Sequence, residues 1–311
     1  MKLSQLAGRK ILVTGAGGFI GGHLCHALLG CGAEVHGISR RDQVGGRDVA
    51  CWWRGDLTNS SGIRNILAKV KPDIIFHLAS CVTGSRDLQS VWPTFEGNLV
   101  STVNLLTVAS EIGCKRIILA GSVEEPECRS GETVPRSPYA AAKGASSSYA
   151  RMFHALYQTP VVVARLFMVY GPGQQDVSKL IPYVTLSLLN KQPPKLGSGQ
   201  RQIDWVYVED VVDGLIAAAQ APNMEGRTID VGSGTLLSIR AIVQQLAERI
   251  DPQVELMWGA LPDRPMEQTR VANISRTYEA MGWTPKTSLA MGLERTVEWY
   301  REHSDSLHKR N

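Results

Sequence analysis

Ser122, Tyr139 and Lys143 are side chains whose types and spacing could move a proton. A phenol titrates near pH ~10 and is a poor acid or base at neutral pH unless a nearby cation stabilises its phenolate form. Tyr139 and Lys143 are four residues apart in a segment that predicts a helix, so they share one face. The trio predicts proton transfer by Tyr139 at a carbon that exchanges a hydride with a cofactor, while Ser122 orients the reacting oxygen. Such a pair also occurs by chance in amphipathic helices.

Two predicted elements position these side chains. Residues 115–120 predict a buried strand that delivers Ser122 at its carboxyl end. Ser137 suits an N-cap and Pro138 the first helical position, so a helix is predicted to begin just before Tyr139.

A glycine-rich segment near the N-terminus predicts the cofactor site. It lies between an apolar strand, residues 11–13, and the opening of an apolar helix. In the dinucleotide-binding pattern, one glycine turns the chain, the next admits a pyrophosphate, and the last lets the helix pack on the strand. A purely structural turn is the alternative, but the flanking strand and helix favour cofactor binding. The predicted contacts are Gly15, Gly18, Phe19, Ile20 and Gly21.

The end of the second predicted strand, residues 34–38, bears on which cofactor binds. An acidic residue there would bond the ribose 2′-hydroxyl, whereas arginines complement a 2′-phosphate. This chain has Ser39 at that place, followed by Arg40 and Arg41. The pattern favours NADP, and NAD is the alternative because Asp42 follows.

Two more strands are predicted, at residues 49–54 and 74–79. Asp56 follows the first and is placed either at the adenine edge or in a turn. The second is an unbroken apolar run, typical of a parallel strand buried on both faces. We therefore interpret His77, which lies inside it, as a core histidine and not as a ligand or base.

The loop over residues 80–93 is long for a connection from a strand to a helix, and such loops tend to hold substrate. Thr83 is its candidate substrate contact. A helix is predicted over residues 95–112, where Asn98 is either functional or a cap.

Composition excludes several function classes. The 311 residues carry a net charge of +4 without a block of basic residues, so no nucleic-acid partner is expected. Apolar runs fall short of a membrane span, and no targeting segment is recognised, so the expected location is cytoplasmic. The six cysteines are scattered, which predicts neither a disulfide framework nor a metal site.

The chain resembles the extended short-chain dehydrogenase/reductases of the NAD-dependent epimerase/dehydratase group, which work mainly on nucleotide sugars. The resemblance runs from residue 11 to about residue 300. Its motifs are Thr14-Gly-Ala-Gly-Gly-Phe-Ile-Gly21, Asp56-Leu57, His77-Leu-Ala79, Ser122, Tyr139-x-x-x-Lys143, Arg165-Leu-Phe-Met-Val-Tyr-Gly-Pro-Gly173 and Asp204-Trp-Val-Tyr-Val-Glu-Asp210.

The resemblance implies an α/β fold with a doubly wound parallel Rossmann sheet and a smaller α/β C-terminal lobe. We expect a cofactor domain over residues 1–165 and a substrate lobe over residues 166–311, whose segments can interleave. Homodimerisation through helices near residues 95–112 and 139–157 is also implied. The cofactor contacts implied, besides Tyr139 and Lys143, are Asp56, Leu57, Leu78, Ala79, Ser80 and Asn98.

Glu124 bears on the type of reaction. It lies two residues after Ser122, where the sugar 4,6-dehydratases of this group carry a glutamate that removes the C5 proton. Those enzymes commonly have Asp or Ser between the two positions, whereas this chain has Val123. A glutamate also occurs here in some reductases and epimerases, and a solvated loop charge is the remaining alternative.

The substrate side departs from the family pattern. Met168 stands where an asparagine usually contacts substrate, and Ile203 stands where many members have the arginine that braces the diphosphate. The nearest arginine is Arg201, and Arg264 resembles the later diphosphate arginine. The segment between Ser122 and Tyr139 is also shorter than usual. These residues predict a nucleoside-diphosphate sugar held by an altered set of contacts.

The function predicted is therefore NADPH-dependent reduction of a 4-keto group at C4 of a nucleoside-diphosphate hexose. The pair Arg40 and Arg41 favours this, because a reductase needs exchangeable NADPH. A 4-epimerase or 4,6-dehydratase that recycles its cofactor is the alternative within the family. A non-catalytic NADP sensor is the alternative from another class.

Overall fold

The computed structural model describes residues 6–40, 49, 51–126, 133–264 and 266–308. The chain divides into two compact units. The C-terminal half is not one continuous lobe over residues 166–311, because two of its segments belong to the first unit. The first unit contains Met1–Leu166, Val212–Val231 and Ser275–Trp283, and the second contains Phe167–Val211, Gly232–Ile274 and Thr284–Asn311.

The elements follow the predicted alternation of strands and helices. The strands are β1 (Lys10–Thr14), β2 (Glu34–Ser39), β3 (Cys51–Arg54), β4 (Ile74–His77), β5 (Arg116–Ser122), β6 (Val161–Leu166), β7 (Met168–Tyr170), β8 (Gln202–Tyr207), β9 (Thr228–Val231) and β10 (Leu236–Ser238). The helices are α1 (Phe19–Gly30), α2 (Ser60–Val70), α3 (Val91–Thr94), α4 (Ser101–Ile112), α5 (Pro138–Tyr157), α6 (Leu180–Leu189), α7 (Val208–Gln220), α8 (Ile239–Ile250), α9 (Ile274–Met281) and α10 (Leu289–His308). Among these helices, none is both long and apolar enough to cross a bilayer.

A seven-stranded sheet forms the centre of the first unit, with strand order β3-β2-β1-β4-β5-β6-β9. All its strand pairs are parallel. The apolar residues of β1, β4 and β5 are buried, as expected for strands covered on both faces. The order reverses between β1 and β4, and ligands of such sheets bind outside the carboxyl ends of the strands at that point. The predicted Rossmann fold is confirmed.

The helical run from Val91 to Ile112 contains a π turn, Phe95–Val100, between α3 and α4. Such turns hold one extra residue and are frequent at functional sites. Asn98 lies inside this turn and is buried. The capping role considered for Asn98 is therefore wrong, because the helix begins seven residues earlier.

The second unit contains a three-stranded sheet in which β8 pairs antiparallel with β10 and parallel with β7. Asp204 on β8 is buried and accepts hydrogen bonds from the backbone N–H groups of Ser233, Gly234 and Ala272, at 2.6, 3.0 and 2.9 Å. These donors compensate the burial of a carboxylate. Asp204 thus ties β8 to both ends of the segment Gly232–Ile274.

His77 is a buried residue at the end of β4, as expected for a core histidine. Its Nδ1 lies 2.7 Å from Thr14 Oγ1, and its Nε2 lies 3.1 Å from Thr102 Oγ1. Thr102 donates its hydroxyl hydrogen to the carbonyl of Asn98, so Nε2 must be the protonated nitrogen of His77. Burial and the nearby Lys143 charge lower the pKa of His77 to about 3.

His77 should make the protein less stable in acid. Its folded pKa of about 3 lies below the unfolded value, so the stability present above pH ~6.5 is lost as the pH falls towards the folded value. Between about pH 7 and pH 5 the unfolding free energy should fall by roughly 2 kcal/mol from this group alone. Urea unfolding at both pH values should show that loss in wild type and in His303→Gln, and its removal in His77→Gln. Parallel pH dependences in wild type and His77→Gln would contradict this account.

Candidate active site

Ser122, Tyr139 and Lys143 come together at the carboxyl end of β5. Ser122 is the last residue of that strand and is buried. The Ser137 hydroxyl accepts the N–H of Ala140 at 3.1 Å and caps α5, as predicted. The first turn of α5 therefore begins at Pro138 and presents Tyr139 beside the strand end.

The Tyr139 hydroxyl is hydrogen-bonded to the side chains of Ser122 and Ser80. Burial raises the pKa of Tyr139 to about 12, the two serine hydrogen bonds lower it, and the Glu125 and Glu124 carboxylates raise it. The sequence predicted a phenol made acidic by Lys143. Burial outweighs the two serine hydrogen bonds and the pKa is raised instead, so the phenol is protonated at neutral pH.

Lys143 lies one helical turn from Tyr139 and is buried. Its Nζ is 6.0 Å from the centroid of the Tyr139 ring and donates a hydrogen bond to the carbonyl of Ala120 at 2.8 Å. Burial lowers the pKa of Lys143 to about 8, and the Glu125 carboxylate opposes that effect. The ammonium is therefore charged at neutral pH by a small margin.

Asn98 holds the start of the loop after β4. Its Oδ1 accepts hydrogen bonds from the Ser80 hydroxyl at 2.7 Å and from the Cys81 N–H at 2.9 Å, and its Nδ2 donates to the Cys81 carbonyl at 3.2 Å. Ser80 was predicted only as a cofactor contact. Its hydrogen bond to Tyr139 could not be foreseen, because it depends on the path of the chain after β4.

The glycine turn after β1 has the geometry of a phosphate loop. Gly15 has a φ of +73°, and a Cβ there would lie 2.7 Å from the Ala79 nitrogen, beside Leu78. Gly18 precedes the first residue of α1, and no side chain caps that helix start. A backbone without side chains, leading to an uncapped helix N-terminus, fits the pyrophosphate of a dinucleotide.

The predicted contacts with the adenosine end of the cofactor are Ser39, Arg40, Asp56 and Leu57, which the structure describes, and Arg41. Ser39 ends β2, and Arg40 is exposed directly after it. Asp56 accepts hydrogen bonds from the Thr58 N–H at 2.9 Å and the Thr58 hydroxyl at 2.8 Å, so its carboxylate closes a turn. These bonds, and the charge of Arg40, lower the pKa of Asp56. Leu57 is buried, and Arg41 lies outside the described residues.

Comparison with known proteins then identifies the family. The family model for NAD-dependent epimerases/dehydratases matches residues 11–232. The chain belongs to this family. A UDP-glucose 4-epimerase from Mycolicibacterium smegmatis is 31% identical over 95% of this chain and 99% of that protein. A dTDP-glucose 4,6-dehydratase from Streptomyces griseus is 30% identical over 94% of both chains.

Solved structures of this epimerase/dehydratase family share the fold. The UDP-glucuronic acid 4-epimerase from Bacillus cereus, solved with UDP-glucuronic acid and NAD, superposes with a TM-score of 0.83. It is 26% identical, covering 94% of this chain and 99% of that one. The protein is thus an enzyme of the NAD-dependent epimerase/dehydratase family, and these relatives are nucleotide-sugar epimerases and a nucleotide-sugar dehydratase. No cluster of metal-ligating side chains occurs within the described ranges.

This family member has two glutamates after Ser122, and the structure distinguishes them. The Glu124 N–H donates to the Ser122 hydroxyl oxygen at 3.1 Å, and its side chain is partly exposed. The Glu125 carboxylate is buried and accepts the Ser122 N–H at 2.7 Å. Sequence reasoning considered only Glu124. The signal that could have indicated Glu125 is Gly121, where a Cβ would lie 2.6 Å from the Glu125 carboxylate.

The substrate-side candidates lie in both units. In the first unit, the Thr83 hydroxyl accepts the Ser85 N–H at 3.0 Å. In the second unit, Met168 begins β7 and is partly buried, and Arg264 is exposed. Arg201 forms an ion pair of 2.7 Å with Glu267, so a carboxylate already engages its guanidinium.

Gly21 should be intolerant of any side chain. A Cβ at Gly21 would overlap the carbonyl of Gly15, so Gly21→Ala should destabilise the protein by about 1–3 kcal/mol and weaken dinucleotide binding. Gly22→Ala is the matched control, because its Cβ would have no neighbour closer than 4.0 Å. Alanine there should stabilise the helix by roughly 1 kcal/mol. Urea unfolding and cofactor titration measure both effects, and equal behaviour of the two variants would refute the assignment.

Proposed function

We propose that the protein reduces a 4-keto group at C4 of a nucleoside-diphosphate hexose, with NADPH as the hydride donor. The observation that carries this proposal is the placement of Tyr139: its hydroxyl is hydrogen-bonded to Ser122 at the end of β5, and the Lys143 Nζ lies 6.0 Å from its ring centroid. A reduction needs a proton donor at the ketone oxygen, and a phenol can perform that role when a neighbouring cation stabilises the phenolate it leaves behind. Relatives named as UDP-glucose 4-epimerase and dTDP-glucose 4,6-dehydratase support a nucleotide sugar as substrate.

Each side chain has a distinct part in the proposed reaction. Ser122 accepts the Glu124 N–H, and its one hydroxyl hydrogen, directed at Tyr139 in this structure, would turn to the ketone oxygen when substrate binds. A bound reduced nicotinamide supplies the hydride to the ketone carbon. Tyr139 gives its proton to the ketone oxygen, which becomes the hydroxyl of the product. The ammonium of Lys143 then stabilises the phenolate left on Tyr139.

The cofactor preference rests on the end of β2. Ser39 stands where an acidic residue would bond the ribose 2′-hydroxyl, so no negative charge is present at that position. Arg40 is exposed directly after it. An arginine there complements the 2′-phosphate of NADP. The family is described as NAD-dependent, so NAD is the second candidate cofactor. Arg41 is the other predicted phosphate contact.

The second candidate function is 4-epimerisation, because the relatives include UDP-sugar 4-epimerases. That reaction uses the same proton transfer in both directions and leaves the cofactor unchanged overall. Elimination by a 4,6-dehydratase would also need Glu124 as a base at C5, with Val123 beside it.

The proposed substrate contacts are Thr83, Met168, Arg201 and Arg264. Of these, Arg264 is the proposed diphosphate contact.

One assay separates these activities. The protein is incubated with 4-keto-6-deoxy sugars and, separately, with hexoses, each on UDP, dTDP and GDP carriers. Loss of NADPH or NADH absorbance and formation of the C4 epimer are recorded. Net oxidation of NADPH in preference to NADH supports the reductase. Conversion of a UDP-hexose to its C4 epimer without net cofactor consumption would replace it with the epimerase, and an absence of turnover with every carrier would refute both.

Tyr139→Phe should lower turnover by roughly 10²–10⁴-fold, because it removes the proton donor. Binding of the cofactor, followed by fluorescence titration, should be retained. Tyr149→Phe is the matched control, since Tyr149 is an exposed tyrosine on the same helix and should keep full activity. Unchanged turnover in Tyr139→Phe would remove Tyr139 from the mechanism and favour a cofactor sensor.

We also propose a homodimer formed through the first unit. The helical run from Val91 to Ile112 and α5 border an apolar groove, in which small residues of α5 face larger ones of the run. Trp92 and Phe95 are 63% and 39% exposed, which is high for aromatic residues. The groove is lined in part by Val91, Phe95, Leu99, Ala141 and Ala145. A second copy presenting the same two helices would cover these side chains.

Phe95→Glu should shift the protein from dimer to monomer, because two buried carboxylates would face each other across a symmetric interface. Tyr278→Glu, at another exposed aromatic residue, should leave the dimer intact. Sedimentation velocity of both variants and wild type measures the state. A monomeric wild type would overturn the proposal.

The proposed location is the cytoplasm. The free cysteines among the described residues support a reducing compartment.

A further inference from the structure

Glu125 is a buried charged residue at the active site that the proposed reaction does not use. Its side chain is 4% exposed, and its Oε1 accepts the N–H of Ser122 at 2.7 Å. The carboxylate folds back over Gly121, where a Cβ would lie 2.6 Å from Oε1. Gly121 therefore provides the space in which this carboxylate reaches the backbone of Ser122.

A buried carboxylate is costly unless it has donors or an opposite charge nearby. One donor is the Ser122 N–H, and the opposite charge is Lys143, whose Nζ donates to the carbonyl of Ala120 at 2.8 Å on the same strand end. The Glu125 carboxylate raises the pKa of Lys143 against the effect of burial. Two other titratable groups face this pair of charges. They are Tyr139, on the helix that carries Lys143, and Glu124, in the turn that carries Glu125. His77 on β4 is held neutral, and the charge of Lys143 contributes to that.

We propose that Glu125 is a positioning residue that fixes the backbone of Ser122 and keeps Lys143 charged, an inference that rests on the proposed function. Two chemical properties of the Glu125 side chain account for these two roles. Its carboxylate oxygen Oε1 accepts the Ser122 N–H and so holds the end of β5 in place. Its negative charge offsets the cost of keeping the Lys143 ammonium away from water.

The two properties can be separated by substitution. Glu125→Gln keeps an oxygen that can accept the Ser122 N–H, but it removes the charge. If Glu125 only shaped the turn, this variant would behave as wild type. If its charge sustains Lys143, the ammonium must lose its proton at lower pH, because a neighbouring negative charge favours the protonated form of a lysine.

The decisive measurement needs neither substrate nor cofactor. Protein labelled with ¹³C at the lysine Cε atoms is titrated by NMR, and the Lys143 signal is identified by its loss in Lys143→Arg. In Glu125→Gln the Lys143 midpoint should fall by about one pH unit relative to wild type. Glu124→Gln is the matched control, since Glu124 lies next in sequence and is partly exposed, so water screens its charge, whereas Glu125 is buried. Its Lys143 midpoint should equal that of wild type.

An unchanged Lys143 midpoint in folded Glu125→Gln would overturn the inference. Should that variant not fold, the double variant Glu125→Gln/Lys143→Met provides the second test, because replacing both partners of a buried charge pair is often tolerated where removing one is not. Recovery of folding in the double variant would support the coupling of the two charges, and no recovery would overturn it. With a substrate in hand, the alkaline limb of the turnover profile should move to lower pH in parallel with the midpoint. A shifted midpoint without turnover of any sugar would refute the proposed function and leave the coupling of Glu125 to Lys143 intact.

Discussion

The ammonium group of Lys143 donates a hydrogen bond to the carbonyl of Ala120, deep beside the end of β5. A cation in that place has lost most of its water, and desolvation moves its pKa down towards neutrality. The arrangement of the site follows from this constraint. Glu125 must supply a compensating charge, Gly121 must leave space for it, and the helix start at Ser137 must hold Tyr139 where the ammonium can act on it.

Much of the fold follows from the order of apolar strands and helices. The glycine turn, the strand end at Ser122 and the spacing of Tyr139 and Lys143 are local patterns, and each requires one geometry. The second half of the chain is different. Segment Val212–Val231 belongs to the first unit because β9 pairs with β6, and that pairing joins residues far apart in sequence. The residues of β9 do not show which strand it will pair with.

The active site was predictable in its components and not in its electrostatics. Residue types named Tyr139 as the proton donor and Lys143 as its neighbour, but the pKa of a phenol depends on burial, which single residues do not reveal. Glu124 and Glu125 are adjacent, so which of them is buried is decided by the turn after β5 alone. The hydrogen bond from Ser80 to Asn98 requires the π turn, and no residue pattern marks that turn.

The π turn over Phe95–Val100 has a further consequence for how the chain can vary. Successive residues of a regular helix are rotated by about 100° about its axis. The extra residue therefore rotates the side chains before the π turn by that angle relative to the side chains after it. Outward-facing Trp92 lies before the offset, and core residues such as Leu105 lie after it. Deleting one residue would straighten the helix and rotate one of these surfaces out of place. The length of this segment should therefore be held constant even where its side chains change.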